Sequence, residues 1–271
     1  ITPGVGAGQL SGTVTDATSG KNLTFSDFAT LVGGDNDDNF TLGAGTFSGG
    51  ALQGGDGKNT LINTVTTATW DLSTNQLRTV LFTGMQTLRG LSGDSVKAPN
   101  ATNAFTLDDT STRLASTDTN NKVTNYTLEN FTTLIGGDNQ DTFKVDVDAA
   151  GVEFQGGKGD DTFTLANETI KTKDMVGGEG SDTVKVTQGT NGWILSAANT
   201  GSVNANGFST VEILEGGAGS DSFDNEITGQ TLSLSAIDGG ALHATSDVDA
   251  VVIRLSGMNS VNNLGELKGF S

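Results

Sequence analysis

Apolar residues in this chain come in short alternating runs, each bounded by a polar, glycine-bearing bend. Thr162-Phe163-Thr164-Leu165 and Thr183-Val184-Lys185-Val186 are two such runs, and each puts every second side chain on one face. A period of two, punctuated by Gly, Asn and Asp, predicts short β-strands joined by tight corners. Six times a short apolar stretch runs into Gly-Gly and then a polar, mostly acidic hexapeptide, with the pairs starting at Gly33, Gly54, Gly136, Gly156, Gly177 and Gly216. The pairs at 33 and 54 stand 21 residues apart, those at 136 and 156 stand 20 apart, and those at 156 and 177 stand 21 apart. A unit of that length cannot enclose a core of its own and has to stack on copies of itself. The pattern therefore predicts an all-β fold: an elongated parallel β-solenoid (β-helix or β-roll) with coils of roughly 20 residues, stacked at about 4.8 Å.

A second pattern frames the first. Apolar residues at three-residue spacing lead into Leu-x-Gly at Phe25, Phe28, Leu31 and Gly33, and again at Phe82, Met85, Leu88 and Gly90. The same frame returns at Leu128-Phe131-Leu134-Gly136, Phe208-Val211-Leu214-Gly216 and Val261-Leu264-Leu267-Gly269. Such spacing predicts a short framing helix or bent loop that plugs one edge of the core. The first and third frames lie 103 residues apart and both continue into a further diglycine corner, which points to internal duplication. The expected organisation is one continuous repeat over 1–271, with sub-repeats near 1–100, 101–225 and a truncated 226–271. The corner at Gly90 and the one at Gly239-Gly240 are eroded, and Asp94 to Asn100 reads as a loop. Trp70 and Trp193, each upstream of a frame, are expected to plug the core or its corners. The chain starts at Ile1 without a charged-then-apolar leader and stops where a new corner is due, as a piece of a longer tandem array would.

Composition refines this picture. Gly accounts for 39 of 271 residues and the hydrophobic fraction is 34%, so strands and corners are expected rather than a large globular core. A net charge of −18 argues against nucleic acid and anionic membrane surfaces as partners. No stretch approaches the roughly 20 apolar residues of a membrane span. Cysteine is absent, so disulfides contribute nothing, and Cys–His chemistry is excluded. The single histidine, His243, reads as a surface or turn residue, and no nucleophile elbow, phosphate loop or dinucleotide fingerprint occurs. The chain is expected to be no enzyme. Asp146-x-Asp148 and Asp247-x-Asp249 read as solvated acidic faces.

Chemistry is left to the acidic corners. Two readings stand side by side: the acids and amides close turns through side-chain to backbone hydrogen bonds, or they hold a cation. Gly156-Gly157-Lys158-Gly159-Asp160-Asp161, Gly177-Gly178-Glu179-Gly180-Ser181-Asp182 and Gly216-Gly217-Ala218-Gly219-Ser220-Asp221 resemble the calcium-binding nonapeptide of RTX proteins. By that resemblance, side-chain ligands for Ca2+ fall on Asp38, Asp141, Asp161, Asp182 and Asp221, with Asn59 as a neutral oxygen donor. The chain departs from the RTX pattern in carrying one matching corner per 20-odd residues, so at most one edge could bear ions. Asn36 and Asn139 also replace a glycine of the motif.

As a whole the chain resembles the RTX-like, glycine-rich repeat regions of large secreted bacterial adhesins and haemagglutinin-like proteins. That resemblance implies export, an extracellular or cell-surface setting, and a non-enzymatic structural or adhesive role stabilised by Ca2+. Partners would be adjacent repeats of the same long chain and a host or neighbouring-cell surface or glycan. The alternative is the calcium-binding appendage of a type I secreted enzyme or toxin. A sugar-cleaving groove and ice binding by threonine rows such as Thr64-Val65-Thr66 rank below both.

Overall fold

A computed structural model describes residues 2–3, 10–15, 22–43, 49–219, 221–225, 236–238, 252–255 and 266–268. All regular structure among them is β, pairing is mostly parallel, and the sheet does not close into a barrel. No helix among the described residues is long and apolar enough to cross a membrane. Two compact units are distinguished: 1–99 with 124–133, and 100–123 with 134–271.

In the first unit, strands about one repeat apart pair in parallel. Thr30–Val32, Ala51–Gln53 and Val80–Thr83 form one column, aligning Leu31, Leu52 and Phe82. Asn39–Leu42, Thr60–Asn63 and Thr87–Lys97 form a second, aligning Phe40, Leu61 and Leu88. Alternation puts Leu42, Leu52, Leu61, Phe82 and Leu88 inside, fully or almost fully buried. The expected loop from Asp94 is instead strand: Ser95 to Lys97 continue Thr87–Lys97 and pair with Thr69–Asp71, setting Val96 beside Trp70. Val96 has the β-branched shape a strand favours, and its side chain is buried, which outweighs the polar residues around it.

In the second unit the longest column runs through Thr102–Leu107, Asp141–Val145, Thr162–Leu165, Thr183–Val186 and Ile213–Glu215. Its central positions are Phe105, Phe143, Phe163, Val184 and Leu214, all buried. Phe143 stacks on Phe105 at 4.8 Å and on Phe163 at 4.9 Å, the repeat that parallel strands impose. A second column, Ala149–Lys158, Thr172–Glu179 and Asn206–Ser209, aligns Phe154, Met175 and Phe208. A third aligns Trp193 on Phe223 through Asn191–Ala197 and Asp221–Asn225. Both tryptophans are buried, in the core role expected of them.

Among the described residues the framing motifs contain no helix, and the frame at Val261-Leu264-Leu267-Gly269 lies largely outside those residues. Phe82 and Phe208 lie one residue before the ends of Val80–Thr83 and Asn206–Ser209, with Leu88 and Leu214 in following strands, whereas Leu128 and Leu134 share the single strand Val123–Ile135. Between them the second spacer adopts a left-handed backbone: Gly84 at φ 68°, Asn130 at 64° and Thr210 at 50°. In these three frames one left-handed residue turns the chain and resets the alternation, so apolar side chains three apart point inward without a helical turn, whereas Phe28 in the first frame is exposed.

Candidate functional site: a polar ladder behind the glycine corners

Each diglycine bend is followed by a residue whose side chain turns back under the bend. Among the predicted site residues, Asn59, Asp141, Asp161, Asp182 and Asp221 are at most 1% exposed, and Asp38 is half-buried. A buried carboxylate demands hydrogen-bond donors, and these find them on the neighbouring turn. In the first unit the Asp38 N–H donates to Asn59 Oδ1 at 2.8 Å, and the Asn59 N–H donates to Gln86 Oε1 at 2.7 Å. In the second unit the same link repeats. Asn103 N–H and Nδ2 donate to Asp141 Oδ1, both at 2.8 Å. Asp141 N–H donates to Asp161 Oδ1 at 2.7 Å, Asp161 N–H to Asp182 Oδ1 at 2.8 Å, and Asp182 N–H to Glu212 Oε2 at 2.9 Å. The result is a ladder of side-chain to backbone bonds, one rung per turn.

The structure thus brings Asp38 together with Asn59, and Asp141 with Asp161 and Asp182. Asp221 stands apart from these, in register with Asn191 in the third column. The reason lies in the framing element. At 209–212 it replaces a glycine corner, its Glu212 closes the ladder, and the next diglycine corner falls one strand later. Gln86 closes the first-unit ladder from the same place in its own frame, two residues past Gly84 just as Glu212 lies two past Thr210. The position of these two residues after the middle apolar residue of the frame is the sequence signal that marks them.

Asp94, in the eroded corner at Gly90, is a further member that the pattern alone misses. It is fully buried and accepts four hydrogen bonds: from Ala68 N–H at 2.7 Å, Asn63 Nδ2 and Trp70 Nε1 at 2.9 Å, and Leu91 N–H at 3.0 Å. Asn63 in turn also donates to the Thr66 carbonyl. His243, Asp247, Asp249 and the Gly239-Gly240 corner lie outside the described residues.

Ionisation follows from burial and crowding. Burial pushes Asp141 up to about 6 against hydrogen bonds that favour its charge. Burial likewise raises Asp161 to about 8, with Asp141, Asp182 and Asp160 adding like-charge repulsion. Asp182 rises to about 6 through burial, with Glu212 and Asp160 contributing.

Calcium takes six to eight oxygens at once, so the corners can be tested against that demand. The oxygens of Asp38, Asn59 and Asp141 already accept N–H groups, including Gly34 N–H on Asp38 Oδ2 at 2.7 Å and Gly137 N–H on Asp141 Oδ2 at 2.5 Å. Corner carbonyls are engaged as well: Gly34 accepts from Asp56, Gly137 from Lys158 and Glu179 from Gly159. Among the described residues no group of three or more acids or histidines is arranged to hold a metal. The turn-closing reading accounts for the bonds of Asp38, Asn59 and Asp141, while Asp161 Oδ2 and Asp182 Oδ2 are buried and accept no hydrogen bond.

Comparison with known proteins returns no family model, no curated protein and no solved structure that matches this chain.

Proposed function

We propose that this chain is a non-enzymatic structural module, a parallel β-solenoid that serves as spacer or adhesive stalk in an exported, surface-exposed or secreted bacterial protein. The observation that carries this reading is register. Strands one repeat apart pair in parallel, residue on equivalent residue, through Phe105, Phe143, Phe163, Val184 and Leu214. The same spacing carries the polar ladder, so core and corner repeat together. Such a stack lengthens by adding turns and offers each end to a further repeat of the same chain. Its sides are the surface that meets a neighbouring cell or glycan.

Pulling single molecules of the full chain by its ends tests the spacer role. Sequential release in steps of roughly 70 Å, the contour length of about 20 extended residues, is the expected record. Extension of a small, compact remainder with no repeat-sized step would remove the solenoid reading. Adhesion is read separately, with beads coated in the chain and presented to immobilised glycans and cell surfaces. Absence of retention leaves a spacer without adhesive function.

A further inference from the structure

The first turn of the first unit is built like the turns that follow it, but one of its two edges is open. Thr30–Val32 and Asn39–Leu42 pair in parallel with Ala51–Gln53 and Thr60–Asn63, and among the described residues no strand pairs with their other side. Burial records the same asymmetry. Leu31 and Phe40 are only half-buried, whereas Leu52 and Leu61, their partners in register, are fully buried. Ala51 N–H donates to the Ala29 carbonyl at 2.9 Å, and Gly33 N–H to that of Gln53 at 2.8 Å. Alternation along the strand therefore turns the N–H and C=O groups of Thr30 and Val32 away from the stack. The corner is open as well. A side chain on Gly55, Gly157 or Gly178, the second glycine of each corner, would strike the carbonyl oxygen of the preceding turn, that of Gly34, Gly137 or Gly157. On Gly34 it would meet nothing within 4 Å. Within the ladder, Asp161 Oδ1 accepts the N–H of Asp141 on the preceding turn at 2.7 Å. Asp38 Oδ2 accepts Gly34 N–H, but Asp38 Oδ1 meets no donor among the described residues.

We propose that this edge takes the last turn of a second copy of the chain, head to tail, which adds parallel strands beside Thr30–Val32 and Asn39–Leu42. The inference rests on the solenoid reading given above. The open groups set what a partner must bring: apolar side chains over Leu31 and Phe40, backbone bonds for Thr30 and Val32, and an N–H for Asp38. A turn of this same repeat brings all three, as residues 51–63 do on the covered side of the same strands. A second copy has such a turn at its other end. Val252–Leu255 and Glu266–Lys268 pair in parallel with Asp221–Asn225 and Ala236–Asp238, and no described strand pairs with their far side. Charge fixes the direction. Two heads meeting would set Asp35, Asp37 and Asp38 of one copy against the same acids of the other, on a chain of net charge −18. The tail strands instead carry Arg254 and Lys268 against one acid, Glu266. A head on a tail is a heterologous contact, so assembly does not stop at two copies. One short turn is a small contact, so the association is weak and shows at high concentration.

The test uses the full chain, in chelator and again in millimolar calcium, sedimented at concentrations from micromolar to millimolar. The average mass should rise with concentration and pass that of a dimer, equally in both solutions. Amide hydrogen exchange on the same samples reads the edge without any variant. Exchange at Thr30 and Val32 should slow by about tenfold across the range, while that of Gly33, already bonded within the stack, stays unchanged. Val32→Pro removes an outward N–H that the fold does not use, and an edge strand accepts proline at such a position. It should keep the wild-type melting temperature and raise the concentration of half-assembly by at least about tenfold. If that variant loses its fold, the mass and exchange of the wild type decide alone. Monomers throughout, with constant exchange at Thr30 and Val32, overturn the proposal. So does a mass that stops at the dimer, or an assembly that Val32→Pro leaves intact. An assembly that chelator abolishes overturns it too and assigns the contact to a bridging cation. Repeat-sized steps in the pulling record, together with monomers at every concentration, remove self-association and leave the spacer. A pulling record without such steps removes the reading on which both rest.

Discussion

At the residue scale, the diglycine corners at Gly33, Gly136, Gly156 and Gly177 tolerate no side chain at their first position, because the corner's own acid and the next turn's carbonyl both press against it. Gly156→Ala would place Cβ at 2.1 Å from Asp161 Oδ2 and 2.5 Å from the Gly177 carbonyl oxygen. Backbone on one side and a buried rung on the other leave little room to yield, so a loss of at least about 2 kcal/mol is expected. Gly151→Ala is the matched control: nothing lies within 4 Å of its Cβ, and it sits in the strand Ala149–Lys158. Alanine should be neutral or stabilising there by about 0.5 kcal/mol, since it loses less conformational freedom on folding. Urea midpoints for the two variants, measured side by side, check both outcomes. A similar loss at both positions would show that glycine serves backbone conformation rather than close approach. The recurrence of Asp, or Asn at 59, in these corners was legible in the sequence; the direction in which it points was not. A corner acid can face solvent or the stack with the same local spacing, and only the N–H groups of the adjoining turn decide between them.

At the scale of elements, the frames show how one pattern is compatible with two local geometries, a short helix or a bend. Three-residue spacing of Leu128, Phe131 and Leu134 is shared by a helical turn and by a strand, here Val123–Ile135, with one left-handed residue inside it. The structure takes the second course, with Asn130 at φ 64°. Asn130→Gly should therefore be accepted with little change in melting temperature. Asn130→Val should cost roughly 1–2 kcal/mol, because a branched Cβ crowds the carbonyl in the left-handed region. Equal melting temperatures for the two variants would return the frame to a conventional right-handed turn. Asp94 carries a related lesson. Its corner is one residue shorter than the others, so it escapes the repeat pattern, yet it collects four donors because Asn63, Ala68 and Trp70 come from the adjacent turn.

At the scale of the molecule, repetition predicts that a whole turn is dispensable where half a turn is not. Excision of residues 157–177 joins Gly156 to Gly178 and, by pairing, lays Asp182 against Asp141 where Asp161 was. A cooperative unfolding transition and an unchanged β-type circular dichroism per residue are expected. Excision of 157–166 shifts the pairing by half a turn, exposes Phe163-type positions and should abolish cooperativity. Loss of folding in the whole-turn excision would show that contacts outside nearest neighbours hold the second unit together.

The sequence by itself determined that the chain is all β, where its corners fall and which side chains face inward, because alternation and glycine spacing are local properties of the backbone. It placed Phe163 with Leu165, and Val184 with Val186, on one face for that reason. Tertiary structure alone decided which acids share a ladder, that frames bend instead of coiling, and that Asp221 is separated from Asp182 by a displaced corner. Those outcomes depend on what the neighbouring turn offers, an N–H, a carbonyl or an apolar ring, and a partner some 20 to 40 residues away leaves no mark on the local pattern.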